Sequence, residues 1–179
     1  MWNITPLIQV KAFARQYGLI LAGLWIASFL SIMLMPGTPL GNLLVMATPF
    51  LVGYLLIRFR NHALDGIISF RRGLALSVYT FFYASLIFAV FQYVYFRYLD
   101  HGTMMNMLLS SVNILEPVYT ANGMSKQELD MGVAAIQQLS PIELALVFMM
   151  QNLLFGVILS VPIALVCRRS SSSAGFGKQ

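Results

Sequence analysis

The chain has 179 residues, of which 59% are hydrophobic and only 9% charged; a water-soluble domain carries about a quarter charged residues, so water is not its only solvent. The formal charge of +5 does not point to nucleic acid, because the basic residues flank apolar stretches and form no single stripe. One cysteine, Cys167, excludes an internal disulfide and a multi-cysteine metal site and leaves the redox compartment open.

In chain order, Thr5-Pro6 opens an amphipathic lead over 7–16 that is expected to lie along the cytoplasmic interface or to extend the first span. That span, about 17–35, begins too far in and runs too long for a cleavable signal segment and is expected to stay in the mature protein. Gly23, Ala27 and Ser31 repeat every four residues along it, as small residues do where helix backbones approach closely in lipid. Pro36-Gly37-Thr38-Pro39 is a tight turn into a second span, about 39–57, with Thr38 expected to cap the helix and Pro39 to take its first position. Thr48-Pro49 should kink that span.

The loop RFRNHALDGIISFRRG, 58–73, is the most polar and basic stretch. His62 and Asp65 stand three apart, as an acid/base pair on one helical face would, but no nucleophile, second acidic cluster or ligand set accompanies them. Capping or pairing within a short interfacial helix accounts for them more simply. Arg58, Arg60, Arg71 and Arg72 read as contacts to anionic lipid that hold the protein the right way round.

The third span, about 74–96, is aromatic throughout and carries Gln92. The outer segment 97–141 contains Met104, Met105, Leu108, Leu109, Val112 and Leu115 at helical spacing. Ser125-Lys126-Gln127-Glu128 then forms a capping box opening a second short helix with Leu129, Val133, Ile136 and Leu139. These amphipathic helices are expected to rest on the lipid surface, with closure over the span ends as the alternative.

Ser140-Pro141-Ile142-Glu143 reads as a second capping box at the head of the fourth span, about 142–167, which makes Glu143 a cap rather than a proton-coupled carboxylate. Deeper in that span Gln151 and Asn152 could meet Gln92 in an intramembrane polar contact. Gly156, Ser160 and Ala164 form a second small-residue stripe, and Pro162 a bend. Each stripe is expected at a helix contact within the chain, or one of them at a dimer interface. The Ser/Gly-rich tail 170–179 should be flexible.

Each span approaches the roughly 20 residues that a hydrocarbon core requires, and within the four only Glu143 is ionisable apart from Cys167 and the tyrosines. Nine of the eleven lysines and arginines lie before the first span, between the second and third, or after the fourth. The positive-inside rule therefore expects both termini in the cytoplasm. The fold class is all-α: a polytopic membrane protein with four transmembrane helices in a single domain over 1–169, and short amphipathic helices between the third and fourth.

The order of features is familiar: a basic amphipathic lead, Phe59-Arg60 leaving the second span, Ile68-Ser69-Phe70-Arg71 entering the third, Tyr93-Val94-Tyr95-Phe96 leaving it, and a Gly156-bearing fourth ending in Arg168-Arg169. In this the chain resembles the bacterial family DUF4199, small inner-membrane proteins of four helices. The resemblance implies fold and location over nearly the whole chain and transfers no catalytic residue.

No metal-ligand set, phosphate loop or catalytic constellation is recognisable, so no cofactor is expected. The expected function is that of a non-enzymatic accessory or assembly subunit of an envelope complex. Its expected partners are the lipid bilayer and another integral membrane protein or a second copy of itself, with no nucleic acid. The alternatives are a small oligomeric transporter or channel, and a membrane enzyme acting on a lipid-linked anionic substrate.

Overall fold

A backbone in hydrocarbon has no water to bond with and must satisfy its own amides, which an apolar segment does by forming helix. The computed structural model describes residues 4–35 and 37–169, with side chains from Ile8 onward. Its elements are α1 (Ile4–Leu34), α2 (Leu40–Met46), α3 (Thr48–Ala63), α4 (Phe70–Tyr98), α5 (Thr103–Ala121), α6 (Lys126–Gln137) and α7 (Pro141–Cys167). Among the described residues no strand forms; Ile68 and Arg169 make one isolated antiparallel bridge. Among the described residues four stretches are long and apolar enough to cross a membrane: Ile8–Leu34, Leu40–Ala63, Phe70–Tyr98 and Pro141–Cys167. All four reach beyond the sequence boundaries in at least one direction, most at the start of the first, where the amphipathic lead continues as the same helix. The expected flexible tail, 170–179, lies outside the described residues.

The chain divides into two compact units, residues 1–89 with 149–179, and residues 90–148. In the first, α1 and α2 form the expected hairpin. Ser28 donates to the Gly41 carbonyl at 2.8 Å, and a side chain on Gly41 would run into Ile32, so glycine is what lets the two backbones meet.

The cap at this turn differs from expectation. Gly37, at φ +90°, turns the chain so that the Thr38 hydroxyl donates backward to Met35 O at 2.9 Å, while α2 starts at Leu40 without a side-chain cap. Met35 O, just past the end of α1, accepts both the Thr38 hydroxyl and the Thr38 amide, as the open carbonyls at a helix end allow. At Ala47 the second span breaks into α2 and α3, where Pro49 lacks an N–H to continue the ladder. Pro162 is instead absorbed within a continuous α7.

The interior of the first unit is ring-rich: Trp25 lies 5.8 Å from Phe88 edge-on, and its indole N–H donates to Thr48 Oγ1 at 3.0 Å. A buried indole needs such a partner.

In the second unit Tyr95, Phe96, Leu144 and Ala145 are buried, and the rings of Phe96 and Phe148 stand 6.1 Å apart. Asp100 Oδ1 accepts from the Met104 amide in the first turn of α5. Both expected capping boxes form, Ser125 with Glu128 and Ser140 with Glu143. Because Ser125 donates to it through backbone and side chain, the Glu128 carboxyl titrates below its ordinary value.

Candidate functional site

The most distinctive chemistry is the basic end of the first unit, where the start of α1, the end of α3, the 64–69 turn, the start of α4 and the end of α7 converge. Four contacts tie it together. Arg60 Nη1 donates to the Cys167 carbonyl at 3.0 Å, closing one of the acceptors that a helix C-terminus leaves open. Ile68 and Arg169 exchange two backbone hydrogen bonds of 3.1 Å. Arg72 Nη2 donates to Gln9 Oε1 at 2.8 Å, and Lys11 stands 5.5 Å from the Tyr79 ring centroid, a cation–π distance.

This geometry divides the four arginines expected to contact lipid. Arg60 and Arg72 are half-buried and already hold protein groups; Arg58 and Arg71 are exposed. Lys11, Arg15, Arg168 and Arg169 are exposed at the same end, and Asp65 is the sole acid of this unit. What the arrangement can do chemically is attract anions: each cation near an anionic bilayer contributes about 1 kcal/mol.

His62 and Asp65 are not brought together. The His62 ring bonds through Nδ1 to the Arg58 carbonyl at 3.0 Å, one turn back along α3, and Asp65 occupies the left-handed turn at φ +49°, a conformation that Asp tolerates better than most residues. Among the described residues no cluster of three or more metal-ligating side chains forms.

The small-residue stripes lie differently. Gly156, Ser160 and Ala164 are buried; a Cβ at Gly156 would lie 2.5 Å from Phe81 Cγ, and Ser160 bonds back to Gly156 O. Gly23 and Ala27 are exposed, Gly23 with nothing within 4 Å of a Cβ, and the half-buried Ser31 bonds back to Ala27 O.

Within the chain α1 is approached on a neighbouring face through Ala14, Gly18 and Ala22, all buried. A Cβ on Gly18 would meet Tyr83 Cβ at 2.6 Å. These three also repeat every four residues, so the signal was present in the sequence in duplicate.

The three amides fall in different units. Gln92, in the second unit, is buried with Oε1 unpartnered; in the first unit Gln151 is exposed and Asn152 half-buried.

A family model described as "Protein of unknown function (DUF4199)" matches residues 16–169. No curated protein and no solved structure matches the chain.

Proposed function

The chain belongs to the DUF4199 family, and from that premise we propose that this multi-pass membrane protein is a non-enzymatic accessory or assembly subunit of an envelope complex. It sits in a bacterial cytoplasmic membrane with both termini inside. The orientation is supported by the end of the first unit that carries eight cations against Asp65.

The observation that carries the accessory role is the α5–α6 hairpin of the second unit. Around its turn Ile114, Val118, Tyr119, Met124 and Met131 are exposed, while Lys126 and Glu116, 3.5 Å apart, link the two helices. The hairpin bears Glu116, Glu128 and Asp130 against one lysine, so anionic headgroups do not favour it. Exposed apolar and methionine side chains on an acidic rim suit a protein partner with an apolar groove and basic edges.

A photo-crosslinker at Ile114, in native membranes under mild detergent, is expected to capture one specific envelope protein. Recovery of free monomer alone overturns the proposal.

A second reading, an oligomeric transporter or channel, has its own supporting observation. Ser77, Ser85 and Gln92 are buried along α4, each with a side-chain oxygen lacking a partner, and buried polar atoms ordinarily find one. Solute flux in vesicles that is lost on Ser77→Ala with Ser85→Ala would favour it over the accessory role.

A further inference from the structure

We propose that Gln151 marks a lateral docking face for a second copy of this chain, with the two carboxamides exchanging reciprocal hydrogen bonds across a two-fold axis inside the membrane. Gln151 lies ten residues beyond Pro141 in α7, about 15 Å along a helix rising 1.5 Å per residue. That depth is near the middle of a hydrocarbon core about 30 Å thick. The side chain is too short to reach either interface from there, and it is exposed, so within one chain it faces lipid.

An acyl chain offers an amide neither donor nor acceptor, and leaving such a group unsatisfied in hydrocarbon is costly. Another polar side chain at the same depth removes the cost. The surrounding surface is ready for a helix: Leu154, Phe155 and Ile158, at the third, fourth and seventh positions onward, are exposed on the same face.

The self-complementarity of the group selects the occupant. A carboxamide carries one acceptor oxygen and a donor NH2, so two copies related by a two-fold axis satisfy each other. Isologous pairs of this kind are the commonest oligomers. A partner without a polar group at that depth would leave the amide as exposed as lipid does. Asn152 is half-buried in its own unit, which leaves Gln151 to face outward. This inference is independent of the hairpin proposal, since it concerns a different face and a different partner.

The test is dimer fraction against protein-to-lipid ratio for the full chain in phosphatidylcholine vesicles, read by energy transfer between labelled copies. The wild type is expected to dimerise and Gln151→Leu to weaken dimerisation roughly tenfold, the size expected of an interhelical hydrogen-bond pair. Helicity should be unchanged, because Gln151 is exposed on the single chain, and the thermal midpoint should match that of the wild type at dilutions where both are monomeric.

Geometry is checked separately by single cysteines in a Cys167→Ser background. Leu154→Cys should give a disulfide-linked homodimer and Gly23→Cys should not. A wild type monomeric at every density, a Leu variant that dimerises like the wild type, or crosslinking through Gly23→Cys in place of Leu154→Cys each overturns the proposal.

Discussion

Gly156 on α7 receives the ring of Phe81 so closely that a Cβ would lie 2.5 Å from its Cγ, whereas Gly23 on α1 has no atom within 4 Å of that position. Both glycines head a run of three small residues spaced by four, and both lie in spans that consist almost wholly of apolar side chains. The pattern makes close approach possible. Whether approach happens depends on a large side chain arriving from elsewhere, here an aromatic ring from α4. The arginines repeat the lesson: Arg60 and Arg58 stand two residues apart on α3, yet one bonds the Cys167 carbonyl and is half-buried while the other is exposed.

Gly156→Leu is the most direct way to break this contrast. The added side chain must displace Phe81, and overpacking of this kind costs about 3 kcal/mol. Unfolding in mixed detergent micelles should show the loss, and an unchanged midpoint would mean that the contact is not a determinant of the fold.

Next in size is Arg60→Ala, which removes a charged donor from a helix-end carbonyl and is expected to cost about 2 kcal/mol in the same measurement. Arg58→Ala should cost nothing measurable in stability; binding to vesicles rich in anionic lipid should weaken instead.

A smaller effect is expected in the second unit. Glu128 titrates below its ordinary value of 4.5 because the Ser125 donors favour its ionised form. Its contribution is therefore fully present above the ordinary value and lost as pH falls through the lowered one. Amide exchange in the first turn of α6 should quicken over that acidic window, and Ser125→Ala should move the window upward.

Smallest of all is Gly23→Leu, expected to change monomer stability by less than about 0.5 kcal/mol, as substitutions away from packed features do. A large loss would show that the exposed stripe is covered in the assembled protein and would end its contrast with Gly156.

What was legible in the sequence was what neighbours along the chain decide. Both capping boxes formed because cap and acid are three residues apart and need nothing else; Thr48-Pro49 interrupted its helix where the N–H is missing, while Pro162, lacking the same group, left α7 continuous. Thr38 was not legible because two helix ends compete for its hydroxyl, and the chain turned at Gly37 gives it to Met35 O. The candidate site was half legible: its arginines stand out in a polar stretch between apolar ones, but the bond from Arg60 to Cys167 spans 107 residues, and nothing near either residue announces the other.

The sequence by itself determined that four segments are helices able to cross a membrane, because about twenty apolar residues and a self-bonded backbone suffice for that. Tertiary structure alone decided which face of each helix meets protein. Lipid tails are as apolar as leucine, so hydrophobicity does not separate an inward face from an outward one. That choice falls to shape: Gly18, between the buried Ala14 and Ala22, lies against the α4 backbone at Thr80 and Ala84, and the equally small Gly23 and Ala27 are left facing out.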